Sequence, residues 1–134
     1  MEKALEFLKS HKDVAFATVE GNKPKIRVFQ IMKQDGLTLY FATSPKKEVY
    51  RQLQADPYVE LLAMEGDISV RVSGKASFDI PNETAREIYD TNAVLRRLYD
   101  SCKALVYFSL NIQAMDYYDL TPTPPVLKHW DFTE

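Results

Sequence analysis

The chain has 134 residues, a formal charge of −2 and a pI near 5.7, which suits one domain with a real core and excludes the general basicity of nucleic-acid binders. Its one cysteine, Cys102, excludes an internal disulfide framework, and His11 and His129, the only histidines, have no Cys or carboxylate at metal-ligand spacing, so no metal site is expected. No apolar stretch approaches the roughly 20 residues of a membrane span. Residues 1–6 are charged and amphipathic, unlike a secretory signal, and the lone thiol suits a reducing compartment, so a soluble cytoplasmic protein is expected. A chain of this size encloses a bulky ligand with difficulty, which makes a dimer interface the natural place for one.

Residues 2–10 read as a short helix with an apolar stripe of Ala4, Leu5 and Leu8 and with Phe7 at its border. The run 14–19 has strand composition, and Gly21-Asn22-Lys23-Pro24 supplies the turn of a hairpin. Residues 25–33 alternate, with Ile26, Val28, Gln30 and Met32 on one face and Lys25, Arg27, Phe29, Ile31 and Lys33 on the other. A cation and an aromatic ring on one side of a strand can line a groove for a planar anion. Equally, the long basic stems can simply cover apolar surface. Gln34-Asp35-Gly36 then predicts a tight antiparallel connection to the strand that ends at Thr43.

The stretch 39–53 carries most of the chemistry. Strand-like Leu39-Tyr40-Phe41-Ala42-Thr43 switches at Ser44-Pro45 to a helical pattern in which Val49, Tyr50 and Leu53 share a face. Ser44 suits an N-cap and Pro45 the first helical position, which places Lys46 and Lys47 in the first turn. Cations there oppose the helix dipole unless an anion is bound. Amides, the hydroxyls of Thr43 and Ser44, and two ammonium groups make a phosphate seat. On these residues alone, a solvated helix start with two surface lysines accounts for the pattern as well.

Asp56-Pro57 ends that helix near Ala55, and strands follow at 58–64 and 68–78, joined by Glu65-Gly66-Asp67. The second alternates cleanly, and Gly74 within it marks a bend or bulge. Asn82 caps a helix to Asn92, a shorter helix covers 94–99, and strands cover 104–110 and 113–120, with a turn at Asn111. Residues 121–134 begin Thr-Pro-Thr-Pro-Pro and read as an extended tail whose Trp130 docks on this domain or on a partner. The fold class is mostly β (α+β): one domain over 1–134, a six- to seven-stranded antiparallel barrel flanked by short helices.

In order, Arg27-Val28-Phe29-Gln30-Ile31-Met32, Phe41-Ala42-Thr43-Ser44-Pro45-Lys46-Lys47, Leu53-Gln54-Ala55-Asp56-Pro57-Tyr58-Val59 and Val70-Arg71-Val72-Ser73-Gly74 resemble the pyridoxamine 5′-phosphate oxidase-like superfamily. The likeness is greatest to its short bacterial general-stress and nitroimidazole-resistance-type members. That resemblance implies a split β-barrel that pairs as a homodimer and holds flavin mononucleotide (FMN) at the interface. It implies that Arg27, Val28, Phe29 and Gln30 run along the flavin, that Ala42, Thr43 and Ser44 form the turn beside it, and that Lys46 and Lys47 grip its phosphate. Ser69 stands where the oxidase has a flavin-contacting glutamine, so that contact is shortened or lost, and Trp130 is a loose echo of a C-terminal tryptophan motif. Met32 replaces the oxidase lysine that helps hold the substrate phosphate, and the substrate-binding arginine-and-serine segment has no counterpart. Pyridoxine 5′-phosphate is therefore not the expected substrate.

An FMN-dependent oxidoreductase needs no side-chain acid or base beyond its cofactor, which agrees with the lack of a triad or carboxylate pair; no catalytic residue is assigned. The alternative from another class is a non-catalytic flavin or haem carrier on the same barrel, with His11 or His129 as the axial ligand for haem. A dimeric structural domain with solvated lysines is the third reading. Substrate and electron donor are not specified by the residues.

Overall fold

The computed structural model describes residues 1–133. The chain runs α1 (Glu2–Ser10), β1 (Asp13–Glu20), β2 (Lys23–Gln30), β3 (Lys33–Asp35), β4 (Thr38–Thr43), α2 (Glu48–Ala55), β5 (Tyr58–Glu65), β6 (Ile68–Ser77), α3 (Asn82–Thr91), α4 (Ala93–Leu98), one 3₁₀ turn (Cys102–Ala104), β7 (Val106–Asp119) and β8 (Val126–Asp131). All strand pairs are antiparallel, in the order β2-β1-β5-β6-β7-β4-β3, with β8 added to β7. The sheet curls into a split β-barrel of eight strands, two or one more than the sequence pattern suggested.

The extra strands have identifiable causes. The run 25–33 is not one strand. Ile31 N–H bonds the carbonyl of Lys12 at 2.8 Å, and the next amide, Met32 N–H, bonds that of Tyr40 at 2.8 Å. Successive amides thus serve opposite walls, so Lys23–Gln30 pairs with β1 and only Lys33–Asp35 pairs with β4. The predicted pairing of this run with the strand to Thr43 is made by Lys33–Asp35 alone, because the chain crosses from one wall to the other at Ile31–Met32 and Lys23–Gln30 stays beside β1 with its other edge free. The Pro-rich segment is followed by pairing rather than a free tail: Val126–Asp131 lines up against Ala114–Asp119.

β7 is also continuous through the turn predicted at Asn111. Opposite it, the register shifts at Ser73/Gly74, leaving Gln113 as the additional residue of a bulge. Gly74 permits this because a Cβ there would lie 2.4 Å from the carbonyl oxygen of Asn111.

The interior is built around Phe16, Phe29, Phe41 and Phe108, whose ring centroids lie 4.7 to 6.0 Å apart. Val49 and Leu53 of α2 join them from one end and Ala4 and Leu8 of α1 from the other side. A second cluster forms where α3 and α4 lay Ile88, Tyr89 and Leu95 on Ala42 and Tyr107, on the outer face of β4 and β7. The outer face of β2 has no such cover: Ile26 and Val28 are 71% and 72% exposed. Val28, Ala15 and Leu62 stand abreast on three adjoining strands and continue this apolar face. No helix of the described residues is long and apolar enough to cross a membrane.

Candidate functional site

The corner where β4 hands over to α2 differs from its sequence reading in one respect. α2 starts at Glu48, with Lys47 as an extended N-cap, rather than at Pro45. Glu48 is the first acidic residue available to the positive end of the dipole, and starting there keeps both lysines out of the first turn. Ser44 instead closes the preceding turn: its Oγ accepts from Lys46 N–H at 3.2 Å and its carbonyl from Lys47 N–H at 3.1 Å. Likewise α3 starts at Asn82 with Pro81 as N-cap, so Asn82 does not cap it.

No side chain caps the start of α2. Lys46 and Lys47 are exposed, and neither has a carboxylate within 4.0 Å among the described residues. Thr43 is buried at 3% exposure, yet its Oγ1 has no hydrogen-bond partner among the described residues. A buried hydroxyl left unpaired costs about 1–3 kcal/mol, which is unusual unless something else satisfies it.

Arg27 reaches the same end of the barrel from β2. Its Nη1 donates to Thr18 Oγ1 at 2.7 Å and to the Phe16 carbonyl at 3.3 Å, and its Nη2 donates to Gln52 Oε1 at 2.7 Å. Thr18 Oγ1 donates to Gln52 Oε1 at 2.6 Å, and Gln52 Nε2 donates to Glu20 at 3.2 Å. Burial lowers the Arg27 pKa from its ordinary value, and the field of Glu48 offsets part of this. Arg27 has no carboxylate within 4.0 Å among the described residues, and neutral oxygens hold this half-buried cation in place. Thr18 and Gln52 were not singled out from sequence. The available signal was a polar residue at a core position of each pattern: Thr18 after Val14 and Phe16, and Gln52 between Val49 and Leu53.

The remaining candidates separate. Val28 points outward on β2, Gln30 is half-buried and reaches Asp13, Phe29 packs into the barrel, and Ala42 lies under α3 and α4. Ser69 pairs with Tyr118 and Trp130 with Met115, whereas Thr43 pairs with Val106. From Val106 to Tyr118 is twelve residues of β7, roughly 40 Å of contour at about 3.3 Å per residue. Ser69 and Trp130 therefore lie twelve and nine residues along β7 from the partner of Thr43. Trp130 docks on its own core. Met32 packs with the second cluster, and the neighbouring Lys33 is bound to Glu87 at 2.9 Å. Among the described residues no three Cys, His, Asp or Glu side chains group as metal ligands.

The antiparallel eight-stranded sheet with a few short helices, α2 packed at one end beside an exposed cationic corner, defines an antiparallel split-barrel protein. The pyridoxamine 5′-phosphate oxidase family matches residues 1–122, and the chain belongs to that family. General stress protein 26 of Bacillus subtilis (strain 168) is 32% identical over 104 residues, 74% of this chain and 72% of that protein. A pyridoxamine 5′-phosphate oxidase-related, FMN-binding protein from Nostoc punctiforme PCC 73102 superposes with a TM-score of 0.71 at 13% identity, covering 97% of this chain and 87% of the other. A haem-binding protein from Mycobacterium smegmatis superposes at 0.75 with 16% identity, covering 96% of this chain and 57% of that one. At such identities the two superpositions establish the fold.

Proposed function

We propose that this chain is an FMN-binding oxidoreductase that works as a cytoplasmic homodimer on a small molecule. The observation that carries the reading is the buried hydroxyl of Thr43, without a partner among the described residues, followed in the chain by exposed Lys46 and Lys47; Arg27, held by Thr18 and by Gln52 of α2, adds a half-buried cation. These groups fit a phosphate ester: Arg27, Lys46 and Lys47 would neutralise it, and Thr43 and Ser44 would donate to it. The free edge of β2 at Val28 and Gln30, which pairs only on its β1 side, would run beside the ring. When bound, FMN would supply hydride or electron transfer. The chain's own task is to fix the phosphate, orient the ring and exclude water.

The exposed Ile26 and Val28 favour a second copy as cover. A second copy also gives Ser69 and Trp130 a role, since within one chain they lie far along β7 from the partner of Thr43. Met32 among apolar neighbours, with Lys33 engaged by Glu87, argues against a vitamin B6 phosphate as substrate.

Haem fits this chain less well than flavin. His11 is stacked on Phe7 and engaged at both ring nitrogens, by the Phe7 carbonyl and by Glu65, and exposed His129 is bound to Asp116 at 2.7 Å. Titrating the purified protein with FMN and following flavin fluorescence tests the reading. Saturable binding, weakened at least about tenfold in Arg27→Gln, is expected; a protein indifferent to FMN rejects it. Binding without reduction by any nicotinamide or other donor would leave carriage in place of catalysis.

A further inference from the structure

A cavity of about 560 Å³ lies between α2, the β6–α3 connection, α3 and the start of β7, a volume typical of small-molecule sites. None of Arg27, Thr43, Ser44, Lys46 or Lys47 lines it, but it adjoins their corner: Val106 of its wall pairs with Thr43, and Tyr50 N–H bonds the Lys47 carbonyl at 3.2 Å. Its walls are aromatic: Tyr50 and Phe78 meet edge to face with centroids 5.2 Å apart, and Tyr107 stands beside them. Its polar side chains are Arg86, Lys103 and Asn82, the thiol of Cys102 and the phenols of Tyr50 and Tyr107, and no lining residue is acidic. In a chain of net charge −2, that lining is locally cationic.

Both cations have charge to spare. Lys103 has no carboxylate within 4.0 Å among the described residues, and Arg86 has only the exposed Asp90 at 3.9 Å, an arrangement worth little in water. Tyr107 adds no negative charge. Its hydroxyl donates towards the Cys102 carbonyl at 3.1 Å and lies 3.4 Å from Sγ; burial first, and the Cys102 bond second, raise the phenol above its ordinary value, with Arg86 opposing. The wall is therefore a neutral ring at physiological pH.

We propose that this cavity is a second binding site, next to the phosphate corner but built from other side chains, for a planar aromatic carboxylate whose ring lies among Tyr50, Phe78 and Tyr107 and whose anion is met by Arg86 and Lys103. Aromatic walls supply the apolar contact and the cations at one side set the orientation. The site needs no flavin, so its test is separable from that of the proposed function.

The probe is 2-naphthoate, titrated into the full chain by calorimetry with and without saturating FMN, alongside neutral 2-naphthamide. One-to-one binding is expected, with the amide weaker by about tenfold or more and a similar loss in Lys103→Gln and in Arg86→Gln. Both substitutions are on exposed side chains, and circular dichroism verifies that the fold is kept. FMN is expected to leave the naphthoate isotherm unchanged. The proposal is overturned by the absence of saturable binding, by equal affinity for acid and amide, by variants that bind like the parent, or by displacement of naphthoate by FMN, which would make the cavity part of the flavin site.

Discussion

The guanidinium of Arg27 donates to the side-chain oxygen of Gln52 at 2.7 Å, joining an edge strand of the barrel to the helix that closes its end. Gln52 is 2% exposed, and its oxygen also accepts from Thr18. Replacing it with Leu leaves a buried hydroxyl and a half-buried cation without their acceptor. Gln52→Leu is expected to lower stability by about 1–3 kcal/mol in urea denaturation and to weaken FMN binding through the displaced Arg27. Undiminished stability would show that the network is incidental.

Thr43→Val should act with opposite signs in two experiments. It removes a buried hydroxyl without a partner among the described residues, so the flavin-free protein should be unchanged or more stable by up to about 1 kcal/mol. On the proposed function FMN affinity should fall, because the donor assigned to the phosphate is gone. Destabilisation together with full FMN affinity would remove Thr43 from the site.

Lys46→Ala combined with Lys47→Ala should leave stability nearly untouched, since both side chains are exposed. Flavin retention should fall by about tenfold or more and what remains should be more easily lost in salt. Equal retention in the double variant removes the phosphate assignment.

Val28→Lys should produce a monomer, read by light scattering, and flavin should dissociate in parallel. A monomer that keeps full occupancy contradicts an interfacial site.

His11 contributes a pH-dependent contact between α1 and the β5–β6 hairpin. Its bond to Glu65, then that to the Phe7 carbonyl, raises its pKa above 6.5. A raised folded-state value means that the stabilisation is complete below the unfolded pKa and is lost as pH rises through the folded one. Thermal stability of the parent should therefore decline across the window just above pH 6.5, and Glu65→Gln should flatten that decline. A parallel pH profile in the variant would show that another group titrates.

Gly74→Ala places a methyl 2.4 Å from the Asn111 carbonyl, a backbone atom that cannot swing aside. A loss of about 1–3 kcal/mol in urea denaturation is expected; neutrality would mean that the bulge relaxes freely.

Alternation and turn chemistry are local, and they were legible: the hairpin at Gly21, the strand through Val70 and Val72, and the irregularity at Gly74 all follow from residues a few positions apart. The cationic corner after Thr43 was legible for the same reason, as two lysines where a helix begins are conspicuous in one dimension. Where α2 begins was not legible, because Pro45 and Glu48 both offer a start and the choice depends on how the turn meets the barrel.

Tertiary structure alone decided the break at Ile31–Met32, since each amide takes the partner its own wall presents and no Gly or Pro marks the place. It also decided that Gln52 and Thr18 hold Arg27, and that Ser69 and Trp130 lie far along β7 from Thr43. Sequence determines which residues are apolar, charged or able to turn. Which of them meet depends on contacts between strands distant in the chain, and those become favourable only when the whole sheet closes.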